Sequence, residues 1–92
     1  MKRFFFTYGS GECGMPYVGG WTEVVAPDIK QAVMAFRFFH PDRIPNCLNC
    51  CSVYSEEDFM ATCMGQEGVN CGAGCREVIT FSITREIKEA TA

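Results

Sequence analysis

Arg3-Phe4-Phe5-Phe6-Thr7-Tyr8 is the stretch on which the fold turns. Side chains alternate across a strand, so Phe4, Phe6 and Tyr8 share one face while Phe5 and Thr7 take the other. Both faces begin apolar, which places the strand in the interior of its sheet. Outward from it, residues 9–20 (Gly-Ser-Gly-Glu-Cys-Gly-Met-Pro-Tyr-Val-Gly-Gly) form a loop. Residues 21–26, Trp-Thr-Glu-Val-Val-Ala, are a second strand, antiparallel to the first.

Pro27 suits the first turn of a helix, and Asp28 adds favourable charge at its N-terminus. Ile29, Ala32, Val33, Phe36 and Phe39 follow at helical spacing as one apolar stripe. Pro41 disfavours helical geometry at His40 and ends the helix there. Residues 42–48 are a loop and 49–54 a third strand. Ser55 is an N-cap, followed by Glu56, Glu57 and Asp58 as a capping box, with Tyr54 and Phe59 as the staple. The second helix covers 56–64, with Gly65 as its left-handed C′ residue and Cys63 in the core. A second glycine-rich loop spans 65–75. Residues 76–83 are the last strand, with Ile79, Phe81 and Ile83 facing inward, and 84–92 is a polar tail. The expectation is one α+β domain over residues 1–92 in two layers. A four-stranded mixed sheet carries two helices on one face, in the order β-β-α-β-α-β.

The chain has 92 residues, 48% of them hydrophobic, including eight Phe, three Tyr and one Trp. A chain this short buries roughly 60–65% of its unfolded surface, so large aromatics matter to its stability. The net charge of −3 and the scatter of its eight Lys and Arg residues argue against nucleic-acid binding. No apolar run approaches the roughly 18 residues of a membrane span. The start, Met1 to Gly9, lacks the h-region of a signal peptide. A cytoplasmic location follows, and an odd count of seven cysteines fits reduced thiols.

Six of the seven cysteines fall between Cys47 and Cys75. Cys47-x2-Cys50 and Cys71-x3-Cys75, 20 residues apart, approach the spacing of a four-cysteine zinc site. Against this, Cys50 and Cys51 fall in an expected strand rather than a tight turn, and free cysteine is often a buried hydrophobe. No cofactor is therefore expected, with zinc at Cys47, Cys50, Cys71 and Cys75 as the alternative. Gly9-x-Gly11-x-x-Gly14 follows a strand, yet no helix follows it to hold a pyrophosphate. His40 is the single histidine and pairs on paper with any cysteine, though no cysteine-enzyme signature surrounds it. Tyr8, Tyr17 and Trp21 flank the first loop, and with His40 they are the candidate binding residues.

Phe5-Phe6-Thr7-Tyr8-Gly9-Ser10, then Gly20-Trp21-x-Glu23-Val24-x-Ala26, then Phe39-His40-Pro41-Asp42-Arg43 form a pattern. Asn49-Cys50-x-Ser52-Val53-Tyr54-Ser55-Glu56 and Gly74-Cys75-x-Glu77-Val78-Ile79 extend it. The chain resembles short uncharacterised proteins of phages and integrative elements of gut Firmicutes. The resemblance implies cysteines at Cys50 and Cys75 but not at Cys47, Cys51 or Cys71, which weighs against the zinc site as a shared feature. It brings no activity with it. It implies a setting in which small proteins bind and inhibit host machinery, including defence systems. The expected function is thus non-enzymatic binding of a host protein or small ligand. A zinc-stabilised interaction module and a small thiol-dependent enzyme are the alternatives.

Overall fold

The computed structural model describes residues 1–9, 11, 14–67 and 74–88. It is α+β with a mixed sheet. Its strands are β1 (Lys2–Thr7), β2 (Trp21–Ala26), β3 (Ser52–Ser55), β4 (Cys75–Thr80) and β5 (Thr84–Ile87). The helices are α1 (Ile29–Phe39), α2 (Glu56–Met60) and α3 (Cys63–Glu67). The sheet order is β3-β1-β2-β4-β5. β1 pairs antiparallel with both β2 and β3, β2 pairs parallel with β4, and β4 pairs antiparallel with β5. β1 is therefore an interior strand, as its two apolar faces require.

Those two faces overturn the expectation of helices on one side. Phe6 stacks on Phe36 of α1, ring centroids 4.4 Å apart, and Phe5 stacks on Phe59 of α2 at 4.0 Å. Neighbouring residues of a strand point to opposite faces, so α1 and α2 cover opposite faces of the sheet. Topology demands the same. β2, β3 and β4 all run parallel, but the chain moves one way across the sheet from β2 to β3 and the other way from β3 to β4. Two right-handed crossovers in opposite directions must use opposite faces. The result is three layers with two cores. Phe4, Phe6, Tyr8, Val24, Ala32, Phe36 and Ile79 fill the first, and Phe5, Trp21 and Phe59 the second.

The remaining differences are local. Asp28 is the N-cap of α1, its Oδ1 accepting the Gln31 N–H at 2.8 Å, so Pro27 lies just outside the helix. Ile29 is exposed; Ala32, Ala35 and Phe36 are the residues α1 buries. The expected second helix is two short ones. Thr62 breaks it by donating to the Phe59 carbonyl at 2.6 Å, and its Oγ1 also accepts the Gly65 N–H at 3.3 Å, capping α3. Cys63 is consequently exposed rather than core. Gly65 lies inside α3, not at a C′ position, where a Cβ would collide with the Phe59 carbonyl. The last expected strand ends at Thr80. The chain turns through Phe81, Ser82 and Ile83, with Ile83 at φ 63°, and returns as β5. Phe81 and Ile83 therefore stand exposed on the turn. The polar β5 was hidden from hydrophobic patterning because all four of its residues are exposed.

The Ser55 cap is as the sequence predicts. Its backbone is extended and its Oγ accepts the Asp58 N–H at 3.2 Å. Tyr54 and Phe59 pack with centroids 6.2 Å apart. A five-residue helix has little stability of its own, so the cap matters. Ser55→Ala should cost about 0.5–2 kcal/mol, read as a lower midpoint in urea unfolding. An unchanged midpoint would refute the role of this cap.

Candidate functional site

One β-bulge sets up the polar centre of the protein. Trp21 pairs with Cys75, but Thr22 pairs with Glu77, so Arg76 is an extra residue on β4. The shift puts Cys75 against the second core beside Trp21 and turns Glu77 to the first-core face beside Thr22. Glu77 is fully buried there. Burial penalises a lone carboxylate heavily, so partners must be present.

They are. Thr22 Oγ1 donates to Glu77 Oε2 at 2.7 Å, and His40 Nε2 contacts the same oxygen. Tyr17 OH donates to Oε1 at 3.4 Å, and Arg85 Nη1 lies 3.7 Å from Oε1. Thr22 has spent its single proton on Glu77, so the buried Tyr8 hydroxyl donates to Thr22. A directed chain results, Tyr8 to Thr22 to Glu77, met from the other side by His40. Burial alone would raise the Glu77 carboxyl. Hydrogen bonds from His40 and Thr22, with the charges of His40 and Arg85, outweigh it and hold the carboxyl below its ordinary value. Burial pushes the Tyr8 hydroxyl well up, against the lowering effect of its bond to Thr22; it remains a donor at neutral pH. Tyr17 is also raised, by burial and by the Glu77 charge.

Each member is positioned by its element. Tyr8 follows β1 on the α1 face, and its N–H bonds the Gly20 carbonyl at 3.2 Å. His40 is the C-cap of α1, its N–H on the Phe36 carbonyl, because Pro41 stops the helix there. Tyr17 packs on Tyr8 and His40, centroids 5.4 and 6.2 Å away, with the Arg76 guanidinium over its ring. Arg76 in turn donates to the Val18 carbonyl at 2.6 Å, holding the loop against the bulge.

Of the four sequence-derived binding residues, the structure brings together Tyr8, Tyr17 and His40. Trp21 sits on the opposite face, buried with Phe59 at 4.9 Å between centroids. Tyr8 and Trp21 are core residues rather than an exposed aromatic surface. Tyr17 is half-buried, and its hydroxyl belongs to the Glu77 network. Sequence reasoning missed Glu77. The signal was there: it shares strand parity with Ile79, an inward residue, so a carboxylate was being sent into the core.

Among the described residues, the cysteines of the expected zinc site are not brought together as a set of four. Cys50 packs against the first core and Cys75 against the second, on opposite sides of the sheet, while Cys71 lies outside the described residues. Among the described residues no group of three or more His, Cys, Asp or Glu is arranged to hold a metal ion. Burial pushes the Cys50 thiol up to about 12, the reverse of an activated nucleophile. Burial also raises the Cys75 thiol, joined by the nearby Glu23 charge.

An open pocket of about 120 Å³ lies on this side of the molecule, lined by Met15, Arg43, Ile44, Leu48, Asn49 and the cysteines 47 and 50. Met15 and Leu48 form a wall backed by the first core, and Ile44 stands more than half exposed. Arg43 reaches across to the Gly14 carbonyl at 3.3 Å, linking the two loops that frame it. At the far end of the first loop, the Gly74 carbonyl accepts the Trp21 N–H at 3.2 Å, so the chain leading into β4 meets it there. Residues 68–73 of the second glycine-rich loop lie outside the described set. No protein family, curated protein or solved structure matches the chain.

Proposed function

We propose that this chain is a cytoplasmic, non-enzymatic binding protein of a phage or mobile element, which inhibits a host protein by gripping one of its apolar side chains. The pocket formed by Met15, Ile44 and Leu48 with Arg43 carries this reading. Its volume of about 120 Å³ is well below the roughly 300–1,000 Å³ of small-molecule sites, and suits a single anchoring side chain. Arg43 at the rim favours an acidic neighbour on the partner. The interior chemistry supports a binding role over catalysis. Both Glu77 oxygens already have partners. The resemblance to mobile-element proteins supplies the host-directed setting.

The test is affinity capture from host lysate with the wild-type chain and with Ile44→Glu, followed by titration of the captured protein. Ile44 is exposed, so the variant should unfold at the wild-type temperature. It should bind more than about 1 kcal/mol more weakly, the level that marks an interface hot spot. Equal affinity of the two baits would remove the pocket as the binding site.

A further inference from the structure

We propose that Cys47 and Cys50 form a thiol–disulfide exchange site that reacts with small-molecule disulfides. This goes beyond the binding reading and does not depend on it. Three observations point to the pair. Cys47 is fixed at the exposed end of a tight turn. Its N–H bonds the Ile44 carbonyl at 3.0 Å across Pro45 and Asn46, and Asn46 has φ 64°. That is the signature of a type II turn, with proline second and a left-handed residue third. The other end of the segment is pinned by the Cys51 N–H on the Thr7 carbonyl at 2.6 Å. Between these anchors both Cys47 and Cys50 line the same pocket, which is open to solvent, so a disulfide bond can meet the exposed Cys47 sulfur at its mouth without the rest of its molecule being enclosed.

Cys51 is the rival, and geometry sets it aside. It is not among the residues lining that pocket, and its Sγ lies toward Gly9 and the Ser52 hydroxyl. A bond between Cys50 and Cys51 would also be strained. Consecutive Cα atoms stand about 3.8 Å apart, short of the roughly 4.4–6.8 Å of relaxed disulfides.

Exposure sets the order of reaction. Cys47, exposed, gives its proton to solvent and attacks one sulfur of the small disulfide. A mixed disulfide forms on Cys47, and the first small thiolate leaves and takes up a proton. Cys50, half-buried and lining the same pocket, then gives its proton to solvent and attacks the Cys47 sulfur, its position beside the mixed disulfide offsetting its weak acidity. The Cys47–Cys50 bond forms, and the second small thiolate leaves and takes up a proton. Two protein thiols are oxidised and one small disulfide is reduced to two thiols.

The probe is glutathione disulfide, applied to the reduced full chain under native conditions and followed by alkylation and peptide mass mapping. Cleavage after Leu48 separates Cys47 from Cys50, so a bond between them joins two peptides. Wild type and Cys51→Ser should both give this bond, losing two hydrogens per chain. Cys50→Ala should instead accumulate a lasting glutathione adduct on Cys47, because the resolving thiol is gone. Cys47→Ser should give no adduct on Cys50. Loss of the bond in Cys51→Ser, an adduct on Cys50 in Cys47→Ser, or no reaction at Cys47 while the urea-unfolded chain reacts there would each overturn the proposal.

Discussion

Truncating His40 to alanine should destabilise the folded chain by about 3 kcal/mol. The change leaves the Glu77 carboxylate buried without its strongest partner, and breaking a buried pair in this way costs about 3–5 kcal/mol. The lower end applies because Thr22, Tyr17 and Arg85 still face the carboxylate. For a chain of this size each kcal/mol shifts Tm by about 4–8 °C, so a fall of roughly 12–24 °C is expected. Total stability is only about 5–15 kcal/mol, which makes this a large share. Thermal unfolding followed by circular dichroism measures it. A loss under about 1 kcal/mol would mean that His40 does not support Glu77 in solution.

The same network makes a signed prediction about pH. The Glu77 carboxyl is lowered from its ordinary value of 4.5 in the folded state. A lowered carboxyl adds stability that is fully present above that ordinary value and is lost as pH falls below it, through the folded value. Glu77→Gln removes the titration but keeps the shape. The stability gap between wild type and Glu77→Gln should therefore be widest near neutral pH and shrink as pH drops below 4.5. A gap that is constant from neutral to strongly acidic pH would show that Glu77 is not held as the anion.

Phe59→Ala should cost about 3–5 kcal/mol, the usual loss for a large aromatic truncated in a core. Phe59 is the only residue of α2 that is buried, and it meets Phe5, Trp21 and Tyr54. Removing it leaves a cavity against Phe5 and Trp21 in the second core. The outcome also decides the layering. Were both helices on the α1 side, the Phe5 face would lie bare and Phe59 would not be its cover. Loss of well under about 1 kcal/mol in urea unfolding would overturn the three-layer arrangement. Phe36→Ala should show a similar cost on the other face, where Phe36 stacks on Phe6.

Much of the secondary structure was legible in the sequence. Arg3–Tyr8 announces an interior strand through two apolar faces. Ser55 with Asp58 marks a helix start through a cap whose atoms lie three residues apart, and Pro41 stops α1 through a local steric conflict. These are short-range effects, complete within a few residues. β5 was illegible because exposed polar residues carry no hydrophobic period; only pairing with β4 makes Thr84–Ile87 a strand.

The site was legible only in its parts. The chain itself determined that a lone histidine would end a helix, that glycines would concentrate beside the strands, and that the aromatic cores would be large. Tertiary structure decided which of these meet. A single bulge residue, Arg76, sends Glu77 to one face and Cys75 to the other. That one shift creates the Tyr8–Thr22–Glu77–His40 network and separates Cys75 from Cys50. His40 and Glu77 are 37 residues apart, and Thr22 and Glu77 are 55. Contacts across such separations depend on strand register, and a slip of one residue reverses the face of every side chain. Local sequence sets what each segment is; register, set by the packing of the whole sheet, sets what each segment touches.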